Sequence, residues 1–354
     1  MDIRVYGSEL SAAMRIIKKC INPKDPKLGS VEISHNGQGI TLRGTNGNFA
    51  ASVSIPLMCE EFESFCVDGS MFASVVANKA GEIEISSDGQ ACTIRGGGRT
   101  RIPVLKGHVP EIEPVNGDHV RVDAGSFARM CEQVKHAIAA DQSRVVLTGA
   151  LVETDGAKMT MTALDGFRLA REAAPCSGAT VKMLIPGGFL NIAAASVTEV
   201  DTLDLFTDGK TVVVRAPGVK LKCGLLSGDY VDVAKVLPET FRSEYLVRRK
   251  EVLDAIRDAM AVMGGEKLVR LGFNGHTMKV TGNSEQADYE AEIGCERQGD
   301  DGLSIAFNSE YLSDALSTIE TDEVVMRFNG PMSPVVVARK EGEGIRLVLP
   351  VRTR

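Results

Sequence analysis

One helix-like phrase occurs three times in this chain, so any fold that accommodates it is built in thirds. It reads GSELSAAMRIIKKC at 7–20, AGSFARMCEQVKHAI at 124–138 and RKEVLDAIRDAMAVM at 249–263, and its first apolar anchors, Leu10, Phe127 and Val252, are 117 and 125 residues apart. A second phrase falls in each interval, starting at Val67, Ile185 and Phe307. It consists of a Gly or Ser cap before a short helix, then an alternating strand, an Asp-Gly or Asn-Gly turn and another strand. Its anchors, Met71, Phe189 and Tyr311, lie 61, 62 and 59 residues beyond those of the first phrase. A period of this kind fixes architecture before any single motif is weighed.

The expected fold is α+β, with three similar domains at 1–117, 118–240 and 241–354, each of two half-units that combine one helix with several strands. The polar stretch LKGHVPEIEPVNGD at 105–118 and the segment Leu237-Pro238-Glu239-Thr240 mark the boundaries. A chain of 354 residues with 44% hydrophobic content also needs more than one core. No apolar run reaches membrane-spanning length and MDIRVYGSEL is charged at once, so the expectation is a cytoplasmic protein without signal peptide or membrane helix. The eight cysteines contain no CxxC and read as reduced, buried thiols. Histidines 35, 108, 119, 136 and 276 lack metal-ligand spacing and read as surface or turn residues, so neither metal nor cofactor is expected.

Catalytic signatures are not found. Gly96 to Gly98 lacks the Lys-Ser/Thr of a phosphate loop and reads as a flexible hairpin, and there is no HExxH or GxSxG. An enzyme with its site between repeated domains, or a structural β repeat, are the competing classes. The helices are more informative. Leu10, Met14 and Ile17 form an apolar stripe with Arg15, Lys18 and Lys19 off it; Phe127, Met130 and Val134 oppose Arg129 and Lys135; Val252, Ile256 and Met263 leave Arg257 exposed; Lys79 ends a helix of the second type. If these helices share one side of an arc, an acidic protein of net charge −7 carries a basic lining that follows duplex phosphates without reading bases. The alternative is a merely solvated face.

Copies joined head to tail leave two open ends. One carries RGGGRTR at 95–101, with Arg99 and Arg101, and the other carries Glu285, Asp288, Glu290, Glu292 and Glu296 on an alternating strand. Contact between two chains would pair these charges and bury the apolar neighbours Val104, Val262 and Met263, closing a homodimer of six domains. Two unrelated solvated charge runs are the alternative. One stretch stands apart from the repeat: LTGALVETDGAKMTMTALDGFRLA at 147–170. Two short strands meet at Asp155-Gly156, and a second turn at Asp165-Gly166 sets Phe167, Arg168 and Leu169 on a rim. The other thirds lack DGFRL.

LTGALVET, ALDGFRLA, VLP at 236–238, FNSEYLSDAL at 307–316, FNGPMSPVVV at 328–337 and VLPVR at 348–352 together resemble the bacterial DNA polymerase III β-subunit family, the sliding clamps. Their order and spacing fit across the second and third domains; the first domain matches mainly through length, repeat position and RGGGRTR. The resemblance implies a head-to-tail homodimeric ring with sheets outside and helices inside, encircling duplex DNA. It also implies a peptide pocket that the polymerase III α subunit, the clamp loader and other clamp-motif proteins share. Carried over by motif, that pocket comprises Leu147, Leu164, Gly166, Phe167, Arg168, Leu169, Val231, Lys235, Val236, Pro334, Leu347, Val348, Leu349, Pro350, Val351 and Arg352. This set is mostly apolar with a few cations, as suits a hydrophobic peptide anchor. Phe167 stands where the family usually has His, Val231 where it has Pro, and Lys235 where it has Arg, keeping the charge but not the planar donor fork. The tail also departs, running on to Thr353-Arg354.

Overall fold

Three rounds of one succession follow each other along the chain: a strand, a longer helix, four strands, a shorter helix and three strands. The computed structural model describes residues 2–79, 81–197 and 200–352; the tail residues Thr353 and Arg354 lie outside it. The first round runs Asp2–Tyr6 (β1), Gly7–Ile17 (α1), Ser30–His35 (β2), Gly39–Thr45 (β3), Phe49–Pro56 (β4), Phe65–Asp68 (β5), Gly69–Val76 (α2), Glu82–Ser87 (β6), Ala91–Arg95 (β7) and Arg99–Pro103 (β8). The second runs Asp118–Asp123 (β9), Ala124–Val134 (α3), Gly149–Thr154 (β10), Lys158–Leu164 (β11), Arg168–Gly178 (β12), Lys182–Pro186 (β13), Gly187–Ser196 (α4), Thr202–Thr207 (β14), Thr211–Ala216 (β15) and Val219–Gly224 (β16). The third runs Ser243–Arg248 (β17), Arg249–Val262 (α5), Leu268–Asn274 (β18), Thr277–Asn283 (β19), Asp288–Gly299 (β20), Ser304–Asn308 (β21), Ser309–Ser317 (α6), Glu323–Phe328 (β22), Val335–Arg339 (β23) and Ile345–Val348 (β24). The α+β reading with two helix-plus-strands half-units per third describes this succession.

Each helix starts where a strand ends, and the expected Gly or Ser cap of the shorter helices is corrected: Gly69, Gly187 and Ser309 are first helical residues, and the strand residue before them, Asp68, Pro186 or Asn308, holds the cap position. Asp68 accepts from the Met71 N–H at 2.7 Å, Asp123 from the Ser126 N–H at 2.7 Å, and Asn308 from the Glu310 and Tyr311 N–H groups at 3.0 and 3.4 Å. The anchors Leu10, Phe127 and Val252 are fully buried. The second set needs correction. Met71 is 57% exposed, and the position buried in every round is the next one, Phe72, Leu190 and Leu312. Met71 has the residue type of a core position but lies one step off the buried face.

Helices contact each other in the pairs α1/α2, α3/α4 and α5/α6. One continuous apolar core serves the first two rounds and another serves the third. The rounds are joined by antiparallel pairing of strands, β4 with β16 at the first joint and β12 with β24 at the second. Six of the eight cysteines are buried and all are free thiols. Among the described residues no helix is long and apolar enough to cross a membrane.

Candidate functional site

The β11–β12 turn is built by Asp165, whose Oδ1 accepts from the N–H groups of Phe167 at 2.9 Å and Arg168 at 3.0 Å. Gly166 takes φ +95°, a conformation that side-chain-bearing residues rarely adopt. The turn sorts the next three residues in three directions. Phe167 stands out into solvent at 58% exposure, Arg168 reaches across the second joint, and Leu169 turns inward to face Leu347 of β24. Arg168 donates to Asp165 at 3.0 Å and to Asp314 of α6 at 2.5 Å, and its guanidinium lies 4.4 Å over the Tyr311 ring. Phe167 stacks on the same ring at 6.0 Å.

Below this rim a small apolar cluster straddles the joint. Leu147, Leu164, Leu169 and Leu347 are buried in it with Val233 and Val336, and Val236, Leu237, Tyr230 and Phe241 of the segment between β16 and β17 pack against it. Tyr230 ties that segment to β11, its hydroxyl accepting from the Leu164 N–H at 3.1 Å and donating to the Thr162 carbonyl at 3.4 Å, and burial pushes the phenol up. After β24 the tail stays in place by backbone bonds: the Leu349 N–H donates to the Phe167 carbonyl at 2.9 Å and the Val351 N–H to the Ala306 carbonyl at 2.8 Å, while Pro350 bridges to Phe307. Among the described residues, four of the nine exposed large apolar ones, Phe167, Val231, Leu349 and Val351, come from the set carried over by motif. Pro334 is half-buried, Arg352 is exposed, and exposed Lys235 pairs with Asp232 at 3.1 Å.

Val348 is a correction. It is fully buried in the core of the third round, because along β24 Leu347 and Val348 point to opposite faces and only Leu347 serves the recess. Residues that the motif reading missed are Tyr311 and Asp314 beneath Arg168, and the buried group in which Glu172 binds Arg346 at 2.8 Å and Arg339 at 2.7 Å across the joint. FNSEYLSDAL carries the signal for Tyr311, whose spacing from Val252 fits a core anchor equally well. His136 is a further correction: it is not a surface residue. It lies near Arg346 and Arg168 with both ring nitrogens unpartnered, and its pKa is lowered to about 3, by burial first and then by those two cations.

The helical cations divide. Arg15, Lys18, Lys19, Arg129, Lys135 and Arg257 are exposed, with Lys135 paired to Glu132 and Arg257 3.9 Å from Asp254. Lys79 departs from the expectation, since its ammonium is half-buried and donates to the Gly96 carbonyl of the glycine hairpin. At the chain's two open edges, β8 pairs only with β7 among the described residues, and Arg99, Arg101, Asp288 and Glu290 are all exposed, with Val104 and Val262 half-buried. Glu285 is exposed in the β19–β20 turn, ahead of the strand on which it was expected. Met263 is corrected: it is buried in its own round, where its side chain lies against Gly282.

Three like rounds joined edge to edge, with a strand edge open at each end and an apolar recess at one joint, define a clamp: a scaffold that holds by shape and recruits through a groove. The sequence profiles "DNA polymerase III beta subunit, central domain" and "DNA polymerase III beta subunit, C-terminal domain" match residues 121–232 and 234–352. The chain belongs to the bacterial DNA polymerase III β-subunit family, the sliding clamps, which are non-catalytic processivity factors of the replicative polymerase. It is 24% identical over 358 residues to the beta sliding clamp of Staphylococcus epidermidis, covering 95% of each chain, and 24% identical over 381 residues to that of Bacillus subtilis, covering 100% of each. The DNA polymerase III beta subunit of Thermotoga maritima has the same fold, with a TM-score of 0.93 at 23% identity over 100% of both chains.

Proposed function

We propose that two copies of this chain close head to tail into a cytoplasmic ring of six like domains, divided at 117/118 and 240/241 in each copy. The ring holds duplex DNA without sequence preference, through Arg15, Lys18, Lys19, Arg129, Lys135 and Arg257. The recess at the second joint takes a short peptide from the polymerase III α subunit, the clamp loader or other clamp-motif proteins. Phe167, Leu349 and Val351 form its rim, and Leu169 and Leu347 its floor.

The observation that carries this reading is the register of the joints. At the first joint Lys220, Leu221 and Lys222 face Ser52, Ala51 and Ala50; at the second Ile345, Arg346 and Leu347 face Arg171, Ala170 and Leu169. Matching hairpin registers place Arg99, Thr100 and Arg101 of β8, and Glu290, Tyr289 and Asp288 of β20, at the corresponding positions of the two unused edges. Applied to those edges, the same register sets Arg99 opposite Glu290 and Arg101 opposite Asp288 of a second copy, so that each cation meets an acid. Met71 has its reason here too. Its counterparts Phe189 and Tyr311 each cover a residue across a joint, Phe49 at 5.7 Å between rings and Arg168 at 4.4 Å, and the corresponding residue at the third joint is Ala287 of the second copy.

Sedimentation tests the ring. Arg99→Glu with Arg101→Glu is expected to run as a monomer, and mixing it with Asp288→Arg, Glu290→Arg is expected to restore a dimer. A double variant that sediments like the wild type removes this interface. Truncation after Val348 tests the recess, and is expected to abolish binding of a polymerase-derived peptide while leaving the dimer whole.

A further inference from the structure

The first joint has a groove offset along the strands from the position that the recess holds at the second, and its chemistry is opposite. A cavity of about 690 Å³ lies between the segment that follows β8 and the β4–β16 pair, lined by Thr41, Ser52 and Ser54 from the first round and by Arg121, Arg215 and Lys220 from the second. Where the second joint sets Leu169 against Leu347 and Arg171 against Ile345, the first sets Ala50 against Lys222 and Ser52 against Lys220.

Two independent features of this groove call for negative charge. The first is a like-charge pair. Arg215 and Lys220 face each other directly on β15 and β16, an arrangement that costs stability unless an anion lies between them. Both are exposed and no ion pair is formed by either among the described residues, Asp204 standing opposite Arg215 on β14 but bound to Arg121 and His119. The acids that line the cavity are already engaged, Asp204 by Arg121 at 2.8 Å and by His119 at 2.8 Å, and Glu111 by Arg43. In the first round the corresponding facing pair is Arg95 and Arg99, for which the register above supplies Glu290 of a second copy; at the first joint Ser52 occupies that place and supplies no charge. The second feature is Arg43, 6% exposed, which lines the cavity and binds Glu32 at 3.0 Å while its Nε has no acceptor. A buried donor without an acceptor is costly, and a carboxylate in the groove offers one.

We propose that this groove binds a short acidic peptide segment of a partner protein, with its carboxylates on Arg215 and Lys220 and its backbone against the hydroxyls of Thr41, Ser52 and Ser54. A peptide suits the site better than a compact oxyanion, because the positive groups are spread along a groove with neutral hydroxyls between them. Binding here is independent of the apolar recess and of ring closure.

The test uses the full-length protein and a fluorescent ten-residue peptide of alternating Asp and Gly, with an Asn-Gly peptide as control and sodium triphosphate as a competing small oxyanion. Anisotropy is expected to show saturable, salt-sensitive binding of the Asp peptide only, weakened about tenfold or more in Arg215→Ser with Lys220→Ser. Peptide capture at the apolar recess and the sedimentation of that variant are expected to stay as in the wild type, which reports that it is folded. Equal binding by the variant, no saturation by the Asp peptide, or displacement by triphosphate at lower concentration than by unlabelled Asp peptide would each overturn the proposal.

Discussion

Phe49, Arg168 and Ala287 hold one position in the three rounds, and the side chain placed there decides what each joint can do. Phe49 packs at a tilt against Phe189 in an apolar contact, whereas Arg168 over Tyr311 makes a charged one, with Phe167 stacked on the same ring and largely in solvent. Since Phe167 is largely in solvent, Phe167→Ala should leave the thermal midpoint within about 2 °C of wild type, as surface substitutions usually do. The same change should weaken a recess peptide by about tenfold in calorimetry, the cost of losing an aromatic anchor of roughly 1.4 kcal/mol. His136 gives a second residue-scale expectation. The unfolded chain takes up a proton there near pH 6.5 while the folded chain does so only near pH 3, so stability is complete above pH 6.5 and falls as the pH drops toward 3. The denaturant midpoint of wild type should therefore fall between pH 7 and pH 5 by more than that of His136→Gln. Of these residues the sequence made Phe167 and Arg168 legible through the Asp-Gly turn. It could not separate Leu347 from Val348, because both are apolar and only strand register says which faces the recess.

Among the elements, α6 shows how a routine helix start supports the site. Asn308 caps the turn that carries Tyr311 and leads to Asp314, the two groups that hold Arg168 from below. Asn308→Ala should cost about 1 kcal/mol of stability. It should also loosen Arg168, so that recess-peptide affinity falls while the dimer, at the far side of the third round, is unchanged; calorimetry and sedimentation on one sample separate the two. The α-helices were legible because the rounds repeat one another, although only α2, α3 and α6 carry a side-chain cap. Lys79 was not. As a lysine at the end of a short helix it read as solvated, whereas the tertiary fold brings the Gly96 carbonyl to its ammonium.

For the whole molecule, the threefold period announced three rounds, and RGGGRTR and the acidic strand lie at the two strand edges left open within the chain among the described residues. What composition could not give was the pairing register, which needs two intramolecular joints as templates and, in the ring proposed above, sets Arg99 and Arg101 opposite particular acids. In that ring the joint between copies would differ from the other two in its covering pair, Met71 against Ala287, which lacks the aromatic or charged contact found at the others. Ala287→Phe should restore a ring contact against Met71 and lower the dimer dissociation constant several-fold, read by mass photometry on dilution.

A last consequence lies in the segments that run between rounds, 104–117 and 225–242. They keep the two sides of the first and second joints at an effective concentration of roughly millimolar, so those joints do not depend on the number of copies in solution. No such tether spans the joint proposed between copies, so in that ring dilution opens the molecule at this one seam.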